Sequence, residues 1–246
     1  MKKITFLIIL LIVSLLHISA QQYTGMSGLI HVPSAEMDSA GDARLGGHFL
    51  NKRFTPAGSF IHEGVPYHTF DCYISITPFR WIELGYTTTM YKRPNKDGEL
   101  RYNQKDRYFS VKLNPLREGR WFPAIALGAN DFINSHFGID DKGASGYFRN
   151  YYIAATKHLT SKIGIVGMNI AYRHFFFDGS KKWNGAVGGI TFQPIFARNM
   201  RIIAEWSGNE VNAGIDCTLW KHLLIQVSLQ SGKYPSAGLC YKTNLF

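Results

Sequence analysis

The strongest constraint on this chain is an alternation of apolar and polar side chains with period two, repeated in segments of about ten residues. In 66–77, Phe70, Cys72, Ile74 and Ile76 share one face, while Thr69, Asp71, Tyr73 and Ser75 share the other. In 81–92, Ile82, Leu84, Tyr86 and Met90 oppose Glu83, Gly85, Thr87 and Thr89. Successive side chains of a strand point to opposite faces, so this period marks strands with one apolar face. The pattern predicts about twelve: 42–51, 66–77, 81–92, 107–114, 122–132, 147–158, 163–175, 183–194, 200–206, 210–219, 223–232 and 236–246. Ten is the alternative count, should the short segments 107–114 and 200–206 not be strands. No segment carries a helical stripe.

The connections sharpen the reading. Gaps 52–65, 93–106 and 133–146 are long, whereas 78–80, 115–121 and 159–162 are short, and the two kinds alternate. Long loops therefore collect at one end of the sheet. A soluble sandwich has no reason to sort them so, but a transmembrane barrel joins its strands by short periplasmic turns and long outer loops. Most segments reach the roughly 9 to 11 residues that a tilted membrane strand needs. Aromatic residues crowd the strand ends, at Phe79, Trp81, Tyr91, Trp121, Phe122, Phe132, Tyr147, Phe148, Trp206 and Trp220, as interfacial girdles require. The closing segment ends on Phe246, similar to the terminal aromatic of outer-membrane barrels. The expected fold is all-β, an antiparallel transmembrane β-barrel over 42–246.

The start of the chain fits export. Lys2 and Lys3 precede an apolar run from Ile4 to Leu16, and a cleavage site follows at Ala20. This is the three-part pattern of a signal peptide, expected over 1–20. The run is too short for a membrane helix, which needs about 20 residues. Next comes "GLIHVPSAEMD", 28–38, too apolar for a free tail and interrupted by proline. Within 21–41, Leu29, Ile30 and Val32 are expected to dock at the periplasmic mouth or in the lumen, with Pro33 ending strand pairing. The alternative is a short extra β-segment against the barrel wall.

Without Lys2 and Lys3, 25 basic residues face 17 acidic ones, a formal charge of +8. A basic surface suits lipopolysaccharide phosphates or an acidic polysaccharide, and export makes nucleic acid the least fitting partner. The three cysteines, Cys72, Cys217 and Cys240, are too few and too scattered for a disulfide framework. Metalloprotease, paired-cysteine, nucleophile-elbow and phosphate-loop motifs are absent, so no catalytic residue, metal site or cofactor is expected. His174 with Asp178 and Ser180 is the one group that a lipid- or glycan-modifying enzyme could use, and ordinary turn chemistry accounts for it. On the polar strand faces, Glu83, Lys112, Arg173, Arg201, Glu205 and Asp216 are expected to project into the lumen. Three of each sign in a narrow barrel should pair with one another and leave no wide pore.

Three stretches together carry a family likeness: "GLIHVPSAEMDSAGDARLG" (28–46), "RYFSVKLNPLREGRWFPAIALGANDF" (107–132) and "YYIAATKHL" (151–159). They resemble the YjbH-like family of outer-membrane proteins associated with exopolysaccharide production. Gly28, Pro33 and Ala35 meet its pattern at the mature start. Pro123, Ile125, Ala126, Leu127, Gly128, Asp131 and Phe132 meet its later strand-pair core, the more specific of the two. The resemblance implies a non-enzymatic outer-membrane barrel that assists export or surface assembly of an extracellular polysaccharide, with polysaccharide-export proteins and outer-membrane lipid as partners. A small general porin or structural barrel is the further alternative. The resemblance supplies no catalytic residues.

Overall fold

The computed structural model describes residues 21–56, 61–62, 65–134 and 146–246. The expected leader, 1–20, lies outside the described residues.

Twelve strands follow one another in chain order and close into one antiparallel barrel. They are β1 (Asp42–Leu50), β2 (Thr69–Phe79), β3 (Ile82–Pro94), β4 (Leu100–Leu116), β5 (Ala124–Asn134), β6 (Asn150–Thr160), β7 (Gly164–Phe175), β8 (Gly185–Pro194), β9 (Met200–Trp206), β10 (Val211–Leu219), β11 (Leu223–Gln230) and β12 (Tyr234–Asn244). Closure comes from β1, which pairs with β2 on one side and with β12 on the other, Asp42 opposite Asn244 and Phe49 opposite Ala237. Closure leaves no open sheet edge, which is what lets a sheet cross lipid with every backbone group paired.

The alternation decides which way each side chain points. Leu45, Ile74, Ile153, Ile170, Ile190, Val227 and Leu239 stand on the outer surface and are exposed, while Thr87, Thr89, Ser110, Asn212 and Gln230 are buried inside. A water-soluble protein does not expose so continuous an apolar surface; a lipid-embedded barrel requires it. Cys72 is exposed on that outer face, and Cys217 and Cys240 are also unpaired. Phe79, Trp81, Trp121, Phe122, Trp220 and Phe246 ring the short-turn end, with Trp121 at 84% and Phe246 at 86% exposure.

Two expectations need correction. The segment 107–114 belongs to a strand running from Leu100 to Leu116, and the long gap 93–106 shrinks to a turn over 95–99. Beyond a register shift at Tyr91 and Lys92, the pairs Arg93–Arg101 and Pro94–Leu100 continue the hairpin. That extension has only Leu100 and Tyr102 as large apolar residues, too few to make its alternation readable. Among the residues taken for girdle, Tyr91, Tyr147 and Phe148 point inward, where they pack with Tyr23, Tyr67 and Tyr108. Near the same end, short 3-10 turns at Lys52–Phe54 and Asp178–Trp183 bring Phe54 and Trp183 together with Phe175.

Candidate functional site

The lumen holds the chain's own N-terminal segment. Residues 21–35 are buried throughout. Two isolated bridges, Gln21 to Ser27 and Gly28 to Pro33, fold the segment back on itself twice. Leu29, Ile30 and Val32 are at most 1% exposed and join Ala35, Ala126, Ala154, Ala171, Val187 and Ile203 in one apolar cluster. Small wall residues make the room. A Cβ on Gly189 would lie 2.4 Å from the Leu29 side chain, and one on Gly214 would lie 2.7 Å from Ile30. At the long-loop end, His31 stacks on Phe54 with ring centroids 3.6 Å apart, and Phe54 stacks on Trp183 at 5.8 Å.

All six expected lumen charges are buried, at 4% exposure or less. Their pairing differs from the expectation. Lys112 meets Glu83 at 2.9 Å and Arg201 meets Asp216 at 2.8 Å. Arg173 and Glu205 instead bind the backbone of the N-terminal segment. Glu205 accepts hydrogen bonds from the backbone N–H groups of Ile30 (3.0 Å), His31 (2.9 Å) and Val32 (3.1 Å), and from the Asn212 amide at 3.0 Å. Arg173 donates to the carbonyls of His31 (2.6 Å), Trp183 (3.0 Å) and Ser207 (2.7 Å). The folded-back segment leaves its backbone groups unpaired by any strand, and buried groups of that kind must find partners. Glu83 and Lys112 also turn to it: Ser27 donates its N–H to Glu83 at 2.7 Å, and Lys112 donates to the Ser27 and Glu36 carbonyls at 2.8 and 2.7 Å.

Several further anchors are uncharged side chains of the wall. Thr156 accepts from the Ala35 N–H at 2.9 Å, Asn169 donates to the Pro33 carbonyl at 2.9 Å, and Asn114 donates to the Ala35 carbonyl at 3.1 Å. Their signal, a polar residue at an inward position of a strand, is common to every lumen position. Of the motif residues, Gly28 and Pro33 form a bridge, Pro123 sits in the turn before β5, and Gly128 lies under the Tyr152 ring. Asp131 is fully buried with a positive φ of 56°, and Phe132 is half-buried beside it.

Below the plug, at the short-turn end, lies a cavity of about 760 Å³ floored by Ala35, Glu36 and Asp38. Its carboxylates are held by cations. Glu36 meets Arg201 at 3.2 Å and His158 at 3.1 Å. Burial pushes the Glu36 carboxyl up, but the charge of Arg201 and the hydrogen bond from His158 outweigh it and bring it to about 2. Asp38 contacts Arg44 at 2.5 Å and Lys242 at 2.6 Å. Burial opposes its ionisation, and these two cations still hold it well below the usual carboxylate range. Glu118 binds Lys157 at 2.9 Å and His158 at 2.7 Å. Partial burial would raise it, yet the hydrogen bonds from His158 and Lys157 lower it.

His174 and Ser180 are not brought together. His174 points outward and packs edge-on against Phe176, whereas Ser180 is buried and donates to the Tyr147 carbonyl at 2.8 Å. Among the described residues no group of three His, Cys, Asp or Glu side chains is placed to hold a metal ion.

A closed antiparallel barrel with an apolar outer belt, an aromatic ring at its short-turn end and a polar lumen is an outer-membrane barrel, here one filled from inside by its own N-terminal segment. The chain belongs to the YjbH family: the family model, described as exopolysaccharide biosynthesis protein YbjH, matches residues 20–246. No curated protein matches it. Among solved structures, outer membrane phospholipase A from Escherichia coli is similar at 10% identity and a TM-score of 0.37, over 85% of this chain and 98% of that one. The corresponding calcium-bound dimer from Salmonella typhi gives 10% identity and a TM-score of 0.36, over 84% and 92%.

Proposed function

We propose that this protein is a non-enzymatic barrel of the Gram-negative outer membrane that, after removal of its leader, assists export or surface assembly of an extracellular polysaccharide. Family membership supplies the polysaccharide context. The observation that carries the reading is the filled lumen. Buried charges of the wall bind the backbone of residues 27–36, so this barrel serves as a gated or accessory element and not as an open diffusion pore. By the usual sidedness of such barrels, the short turns and the cavity face the periplasm, where polysaccharide-export proteins would meet them, and lipid with lipopolysaccharide surrounds the belt.

The test is genetic and electrical. Cells lacking the protein should show reduced surface polysaccharide, restored by the intact chain; unchanged polysaccharide would refute the reading. The purified barrel should be silent in planar bilayers, and deletion of 23–38 should open steady current. Large stable channels in the intact protein would refute the plugged state. Membrane fractionation with a heat-shift gel tests location, and a soluble protein without a heat-dependent mobility change would exclude the outer membrane.

A further inference from the structure

The anchoring network leaves part of the short-turn cavity unexplained. Its three carboxylates, Glu36, Asp38 and Glu118, are neutralised by Arg201, Arg44, Lys242, Lys157 and the His158 ring. The same cavity is lined by three further arginines, Arg80, Arg117 and Arg198. Each comes from a different short connection: Arg80 from the β2–β3 turn, Arg117 from the β4–β5 turn, Arg198 from the β8–β9 turn. Among the described residues, no hydrogen bond or ion pair engages any of these three guanidinium groups. Arg80 and Arg117 are exposed and Arg198 is half-buried, and all three line one concave space whose own anions are already satisfied. The excess charge of the cavity is therefore positive.

The size and chemistry of the space narrow what would fill it. About 760 Å³ lies within the ~300–1,000 Å³ of ordinary ligand sites, larger than a single inorganic anion requires. Arg80 and Arg117 stand on adjacent short turns, two strand spacings or about 10 Å apart along the rim, and Arg198 stands two turns beyond Arg117, about 20 Å along the rim. Arginines so spread suit charges repeated along a chain better than one compact headgroup. Guanidinium binds carboxylate or phosphate oxygens through paired N–H donors. Among the described residues no Phe, Tyr or Trp lines the cavity, so a neutral sugar would find no such ring to stack on. Small and aliphatic residues, Ala124, Ile165 and Ile195, offer only weak contact to the C–H faces of a sugar.

We propose that the cavity is a binding site for a short segment of an acidic glycan, bearing carboxylate or phosphate groups, which Arg80, Arg117 and Arg198 engage. This rests on the polysaccharide reading above and names the class of polymer that the same periplasmic face would meet. Because the floor is Ala35 to Asp38, a bound segment lies directly against the base of the plug.

Titration calorimetry on the full-length barrel in detergent tests the site, with oligogalacturonate, maltohexaose, inorganic phosphate and phosphatidylglycerol micelles as probes. Oligogalacturonate should bind, should weaken at least tenfold in the triple variant Arg80→Gln, Arg117→Gln, Arg198→Gln, and should weaken as salt is raised. Maltohexaose should not bind. Equal affinity in the variant, or equal binding of the neutral oligomer, would overturn the site. If phosphate or phosphatidylglycerol binds as tightly as oligogalacturonate and loses affinity in the same variant, the ligand is a single anion and the glycan assignment fails. An unchanged heat-shift in the variant shows that the barrel still forms. Surface polysaccharide in cells carrying the triple variant separates the two proposals. Lost oligogalacturonate binding with normal polysaccharide leaves the site standing and shows that export does not depend on it, whereas unchanged binding in the variant refutes the site and leaves the export role to the test in cells lacking the whole protein.

Discussion

Glu205→Ala is the sharpest test of how the plug is held. The carboxylate is 2% exposed and is the acceptor for three consecutive backbone N–H groups, Ile30, His31 and Val32, and for the Asn212 amide. Alanine removes every acceptor at once and leaves four buried donors. An unsatisfied buried donor costs about 1–3 kcal/mol, so the rigid structure would lose about 4–12 kcal/mol. The segment need not stay rigid, and undocking of 28–33 relieves most of that penalty. The expected loss is therefore smaller, about 3–5 kcal/mol, and it appears as plug release and not as barrel unfolding. At about 1.4 kcal/mol per tenfold, the undocked population rises by about two to three and a half orders of magnitude.

Two measurements read this. Hydrogen exchange at Ile30, His31 and Val32 should accelerate by that factor while amides of the barrel wall keep their protection. In planar bilayers the variant should show intermittent current where the parent is silent. Glu205→Gln should be milder, because its carbonyl oxygen can replace the one carboxylate oxygen that accepts from all three backbone N–H groups, leaving its –NH2 to oppose the Asn212 amide. Glu99→Gln is the control: its ion pair with Arg101 is exposed, and such pairs contribute about 1 kcal/mol at most. Parent-like exchange at 30–32 in Glu205→Ala would refute the anchoring argument.

Lys112→Met should lower the urea midpoint of the liposome-embedded barrel by the equivalent of about 3–5 kcal/mol, since it strands Glu83 at zero exposure, and adding Glu83→Leu should recover part of the loss. Gly189→Ala should cost about 1–3 kcal/mol because its Cβ would meet both Leu29 and the Ala204 carbonyl, whereas Gly85→Ala, which meets mainly the flexible Met26 side chain, should cost less in the same assay. Glu36 is depressed from an ordinary 4.5 to about 2, so its contribution to docking is fully present above about pH 4.5 and is lost as pH falls toward 2. Conductance recorded from pH 7 down to 2 should stay silent until the lower part of that window, and release above pH 5 would contradict it.

The outer surface was legible in the sequence because lipid asks one question of every outward residue, and apolarity answers it. Ile74, Ile153 and Leu239 therefore announced their face, and strand after strand fell into place. The same rule explains where reading stopped. Residues 100–106 pair in a hairpin whose only large apolar residues are Leu100 and Tyr102, so "LRYNQKD" has the composition of a loop. Tyr91, Tyr147 and Phe148 were assigned to the girdle because an aromatic ring suits an interface and a packed lumen equally, and only the presence of Tyr23 inside decides for the lumen.

The lumen charges show the deeper reason. Opposite signs on inward positions suggest ion pairs, and Glu83–Lys112 and Arg201–Asp216 are near in the sheet, directly across paired strands. Arg173 and Glu205 lie on β7 and β9, with β8 between them, and each found a nearer partner in the backbone of residues 30–32. Peptide N–H and C=O groups are identical at every position and leave no mark in the sequence, so a charge that binds them cannot be told from one that binds another side chain. What the sequence could signal was that 28–33 was too apolar to remain in water. The wall offered matching space at Gly189 and Gly214, two residues that carry no chemistry of their own. A plug is therefore read from its own composition, while its socket becomes visible only once both stand in three dimensions.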